Sequence, residues 1–130
     1  MTDANINDLD DDTYALWQKW DALMQALPLK YRVTVTYRDA ADQNAAKAEG
    51  LSNACSGQSP HNCTDDQGNP ASCAWDFAIF NADGSYVSDG TDSRYEHAGR
   101  LAESLGGLTW GGRWKYPDFD HIELTGWNAS

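Results

Sequence analysis

The chain has 130 residues, a length that suits one domain with its own core and excludes a multi-domain reading. With 41% hydrophobic and 12% aromatic residues it has the composition of a soluble globular protein, and no apolar run approaches the roughly 20 residues of a membrane span. Asp and Glu total 20 against 9 Lys and Arg, and a net charge of -11 would repel a phosphate backbone, which excludes nucleic acid and anionic membrane surfaces as partners.

In chain order, the acidic run Asp8 to Asp12 leads into a helix whose apolar residues Leu16, Trp17, Trp20, Leu23, Met24 and Leu27 recur at helical spacing, ended by Pro28. Acidic residues suit a helix start, and the run lacks the spaced Asp/Asn/Gly pattern of a calcium loop. Tyr31 to Arg38 alternates, with Tyr31, Val33, Val35 and Tyr37 on one face, which predicts a half-buried strand ending at Arg38 on its polar face. Residues 39 to 49 read as a short helix capped by Asp39 and stopped by Gly50.

Leu51 to Ser72 is rich in Ser, Asn, Gly, Pro and Asp and is expected to form a long loop, a feature that in compact domains is usually functional or mobile. Ala74 to Phe80 predicts a strand with Trp75, Phe77 and Ile79 on one face and Asp76, Ala78 and Phe80 on the other. Asn81 to Gly84 is a turn, Ser93 with Glu96 forms a capping box, and the following helix should bury Ala98, Leu101, Ala102 and Leu105 before Gly106-Gly107. After further glycine turns, His121 to Leu124 predicts a last strand. The whole is expected to be α+β, a small antiparallel sheet with helices packed on one side.

Two histidines stand among polar residues with carboxylates nearby, His61 and His121. With Asp76, a carboxylate in the middle of an apolar strand, they make an inventory suited to zinc: two imidazoles, one carboxylate and an open fourth position. Such an ion polarises a carbonyl and acidifies water if a nearby carboxylate takes the proton. Cys55, Cys63 and Cys73 are too few for a disulfide framework, and no C-x-x-C pair is present. Cys63 and Cys73 could close a disulfide, remain thiols, or join His61 in a thiolate-rich zinc site.

Tyr37-Arg38, Gln43, Gly50, Ser59-x-His61, Ala74-Trp75-Asp76-Phe77, Gly111-Gly112-Arg113-Trp114-Lys115 and Asp118-x-x-His121-x-Glu123-Leu124 follow one another in this order. Together they resemble the zinc-dependent L-alanyl-D-glutamate peptidases of bacteriophage endolysins, relatives of the VanY-type D-alanyl-D-alanine carboxypeptidases. Carried over by position, the resemblance implies zinc ligands His61, Asp76 and His121, with Asp118 as the catalytic carboxylate. It departs from the family's His-x-x-Gly-x-Ala-x-Asp spacing, because the residues from Cys63 to Cys73 loop out between His61 and Asp76.

The resemblance implies hydrolysis of the L-Ala to D-Glu bond in the stem peptides of bacterial peptidoglycan by a monomer consisting of the catalytic domain alone, residues 1 to 130. Arg38 and Ser59 are candidates for holding a substrate carboxylate or carbonyl, and Trp114 for a cleft wall. A D-alanyl-D-alanine carboxypeptidase and a non-catalytic wall-binding or virion protein are the alternatives. His97 is expected to be an ordinary helix residue, Asp120 a surface charge, and Glu123 either a surface charge or a partner of His121. The N-terminal sequence MTDANINDLDDDTY has neither the basic region nor the apolar stretch of a secretory signal. A cytoplasmic origin follows as an expectation, with the family implying release by a holin to a wall in the periplasm.

Overall fold

The computed structural model describes residues 1–48 and 59–128. The predicted stop at Gly50, Cys55 and the first part of the predicted loop lie outside the described residues. Helix α1 spans Asp11–Gln25, capped by Asp10, whose carboxylate accepts from the Thr13 N–H at 2.7 Å. Strand β1 is Lys30–Val35, helix α2 Ala40–Ala48, strand β2 Ala74–Phe80, helix α3 Ser93–Leu105, strand β3 Leu108–Trp110 and strand β4 His121–Leu124. The four strands form one antiparallel sheet in the order β1-β2-β4-β3.

The period-2 pattern decides which face is buried. Trp75, Phe77 and Ile79 of β2 and Ile122 of β4 turn toward α1 and α3, where Trp20, Met24, Tyr95, Ala98 and Ala102 complete the core. Trp20 is fully buried and its indole N–H donates to the Ala98 carbonyl at 3.1 Å, which ties α1 to α3. Tyr95 reaches from α3 to the far end of β2: its hydroxyl donates to the Val87 carbonyl and accepts from the Ile79 N–H. The opposite face of β2 and β4 carries Asp76, His121 and Glu123.

Three predictions need correction. The strand expected to run to Arg38 ends at Val35, because a bulge between Val33 and Val35 breaks the alternation. Thr36, expected on the polar face, is consequently buried, with its hydroxyl on the Asp3 carboxylate at 2.7 Å. The cap of α3 is Asp92 rather than Ser93: the Asp92 carboxylate accepts from the Arg94 N–H and also pairs with the Arg94 guanidinium. Strand β3 was hidden among glycines. It pairs with β4 from Leu108 opposite Leu124 to Trp110 opposite Ile122.

Two glycines are required by backbone geometry. Gly106 ends α3 at φ 76°, a left-handed conformation that disfavours a side chain. Gly111 lies so close to the Asp118 carbonyl that a Cβ would meet it at 2.6 Å. The Asp118 N–H donates to the Gly111 carbonyl, so the segment before β4 folds back onto the turn after β3.

Candidate functional site

His61 lies on a single 3-10 turn, Pro60–Asn62, that packs against the end of β2. Ser59 caps this turn, its hydroxyl accepting from the His61 N–H at 3.2 Å, and Pro60 presets the first helical residue. The turn is held to β1's exit by the Arg38 N–H, which donates to the His61 carbonyl at 3.0 Å. His61 is buried, and its Nδ1 lies 2.8 Å from the Thr36 carbonyl. A carbonyl only accepts, so Nδ1 carries a proton, and Nε2 is the nitrogen that faces Asp76.

Asp76 and His121 are directly opposite one another on β2 and β4. Asp76 Oδ1 lies 3.1 Å from His61 Nε2 and 2.9 Å from His121 Nδ1. On its outer side, His121 Nε2 lies 2.9 Å from Glu123 Oε1, and Glu123 is itself fixed by the Trp127 indole N–H. Ligand atoms of His61, Asp76 and His121 all fall within 4.8 Å of one another, the one such group of three among the described residues. Neither Cys63 nor Cys73 belongs to it, which disfavours the thiolate-rich alternative.

The donor set fits a divalent cation. Each imidazole has its outer nitrogen oriented by an acceptor, Thr36 O for His61 and Glu123 for His121, the arrangement that presents the inner nitrogens as ligands. Two carboxylates, Asp76 and Glu123, face the two imidazoles, so the pocket demands positive charge. Without a metal a proton meets that demand: burial opposes charge on His121, yet the hydrogen bonds to Asp76 and Glu123 prevail and push its pKa up to about 10. Burial likewise opposes ionisation of Asp76, and the two histidines overcome it to hold the carboxyl well below the usual carboxylate range. Two imidazoles and one carboxylate at this spacing are a donor set that suits zinc.

The remaining predicted residues cluster around this group to differing degrees. Trp114 is 39% exposed, with its ring centroid 5.4 Å from that of His121. Arg38 lies past the strand end; its backbone touches the His61 turn and its guanidinium is 3.4 Å from the Gln43 side-chain oxygen. Ser59 is buried and engaged in capping. Asp118 is exposed, and its carbonyl accepts from the His121 N–H at 3.3 Å, one turn ahead of β4. His97 is exposed on α3 and does not belong to the group.

Asp120, expected as a surface charge, is half-buried beside Asp118. Burial first, then the hydrogen bond with Asp118, pushes its carboxyl up to about 8, so it keeps its proton at neutral pH. Asp118 and Asp120 line a cavity of about 220 Å³ with Tyr86, Ser88, Tyr95 and Phe119. Nothing in the local sequence marks Asp120 as different from Asp118, because its burial arises from residues far away in the chain.

No known family model matches the chain, and no curated protein matches it in sequence. In structure it is similar to an L-Ala D-Glu endopeptidase of Serratia marcescens, ChiX, with a TM-score of 0.71 and 18% identity, over 95% of this chain and 86% of that one. The fold is therefore an α+β fold shared with a peptidase of that description, carrying on its open sheet face a group that could hold a metal ion.

Proposed function

We propose that the protein is a zinc-dependent peptidoglycan endopeptidase that cleaves the L-Ala to D-Glu bond of stem peptides. The observation that carries this reading is the convergence of His61, Asp76 and His121 on the open sheet face, with Asp118 one turn away. The fold shared with an endopeptidase named for that bond supports it. A zinc ion held by the three side chains would polarise the scissile carbonyl and acidify a water. Asp118 accepts the proton of the attacking water and returns it to the departing amine, while the Asp120 carboxyl, protonated at neutral pH, donates to Asp118 and keeps it oriented.

The Arg38 guanidinium, whose fork matches a carboxylate, holds an acidic group of the stem peptide; Ser59 offers its hydroxyl proton to a carbonyl, and Trp114 packs along the peptide. A lytic role of the phage kind, exercised on a wall in the periplasm after release from a host cytoplasm, belongs to the same proposal and rests on the motif resemblance.

The test is incubation of the zinc-loaded protein with purified peptidoglycan and mass analysis of the new termini. The expected product carries a newly freed amine on D-Glu. Release of terminal D-Ala alone would make the protein a carboxypeptidase, and wall binding without any new terminus would make it a non-catalytic relative. Zinc analysis of the same sample checks the metal: His61→Ala and His121→Ala should each lose it, whereas His97→Ala should not.

A further inference from the structure

The described residues hold a second pair of reactive side chains, Cys63 and Cys73, which the proposed chemistry does not use. They stand at the base of the inserted segment. Thr64 and Pro70 form an antiparallel bridge, the Ala71 N–H donates to the Cys63 carbonyl at 2.9 Å, and the Cys73 N–H donates to the Pro60 carbonyl at 3.0 Å. This two-stranded loop opens at Cys63 and returns at Cys73, and both thiols are free.

Their surroundings differ. Cys63 is half-buried and Cys73 buried. Exchange needs access to the external disulfide, and access favours Cys63.

We propose that Cys63 and Cys73 are a disulfide-forming pair, with Cys63 as the entry thiol, and that the closed link ties the His61 turn to strand β2. The oxidant is a small-molecule disulfide of the glutathione type. The Cys63 thiolate attacks one of its sulfurs, the small disulfide's S–S bond breaks, and the first small thiolate leaves. Cys73 then gives its proton to solvent and attacks the Cys63 sulfur, expelling the second small thiolate. Two protein thiols are oxidised and one small disulfide is reduced to two small thiols.

The consequence follows from position. Cys63 comes directly after the turn bearing His61, and Cys73 directly before the strand bearing Asp76. Closing the link fixes the separation of two proposed ligands that the insert otherwise leaves joined by a long loop. A reducing compartment keeps the pair open, and an oxidising one closes it. The link stands without the peptidase reading; its effect on zinc rests on the metal site.

The experiment treats the full-length protein with glutathione disulfide and maps every cysteine by peptide mass. A Cys63–Cys73 cross-link with Cys55 outside it is expected; a cross-link involving Cys55, or a lasting glutathione adduct without ring closure, overturns the pairing. Cys73→Ser should trap one glutathione on Cys63, and Cys63→Ser should label Cys73 at least about tenfold more slowly. Equal labelling overturns the entry assignment. Zinc release to a chelator is then compared between oxidised and reduced wild-type protein, with no substitution involved. Several-fold slower release from the oxidised form is expected, and equal release overturns the coupling to the site while leaving the cross-link itself established.

Discussion

Asp118 and Asp120 differ by environment rather than by chemistry. Asp118 is open to solvent, while Asp120 is half-buried with its carboxyl pushed up to about 8 by burial and by Asp118. At neutral pH the Asp120 carboxyl is the donor in their hydrogen bond. Asp118→Asn should therefore keep fold and zinc yet lower turnover by roughly a hundredfold or more. Asp120→Asn should be mild, since an amide N–H replaces the O–H as donor to Asp118. Peptidoglycan hydrolysis alongside zinc content distinguishes them, and a large loss in Asp120→Asn alone would transfer the proton-accepting role to Asp120. A second acidic pair lies away from the site. The Asp8 carboxyl is pushed up to about 6, by its hydrogen bond with Asp3 first and by burial second. An acid whose folded pKa is raised contributes stability fully present below its unfolded value of 3.8 and lost as pH rises through about 6. Asp8→Asn should accordingly raise the melting temperature at pH 7 and gain little at pH 4; equal gains at both would mean that charge on Asp8 is not what destabilises.

At the level of elements, Trp110 at the end of β3 connects helix packing to the site. Its ring lies against Gly99 of α3 and Gly112 of the following turn, where an added Cβ would come within 2.1 Å and 2.2 Å of ring atoms. Its indole N–H donates to the Phe119 carbonyl at 2.8 Å, two residues before His121. Gly99→Ala would ordinarily help a helix interior by about 1 kcal/mol. Here the ring must shift and carry the Phe119 segment with it, so overpacking prevails: a net loss of about 1–3 kcal/mol in urea unfolding is expected, together with weaker zinc retention. A gain in stability would show that Trp110 moves freely. Such packing was not legible in the sequence, where Leu108 to Trp110 is a three-residue strand enclosed by glycines. Strands β2 and β4, by contrast, were read with their observed limits, because strict alternation around Trp75, Phe77 and Ile79 has one solution. Asp76 stood out for the same reason, a carboxylate set among aromatics. The extent of β1 was misread because a bulge leaves no compositional mark, and that bulge frees the Thr36 carbonyl for His61. Asp120 was misread because its burial depends on tertiary neighbours.

Across the described residues, a chain with net charge of -11 brings one group of three metal-ligating side chains together on its sheet. In the metal-free protein the pocket's demand for positive charge is met by the proton on His121, whose pKa is pushed up to about 10 by Asp76 and Glu123 against the opposition of burial. A base with a raised folded pKa contributes stability that is complete below its unfolded value of 6.5 and is lost as pH rises through about 10. A metal that takes Nδ1 must displace this proton, so below about pH 10 binding releases it and affinity climbs with pH. Zinc held at the proposed site would stabilise the folded chain in proportion to the logarithm of its concentration over its dissociation constant. The melting temperature of the metal-free protein should therefore fall between pH 7 and pH 10, the zinc-loaded protein should fall less, and the gap between them should widen. Thermal melts of both forms across that range, with calorimetry in two buffers of different protonation enthalpy, read the two halves of the argument. A gap that stays constant, with no proton released to buffer, would mean that His121 is neutral before the metal arrives and that the site is held by Asp76 and Glu123 in another way.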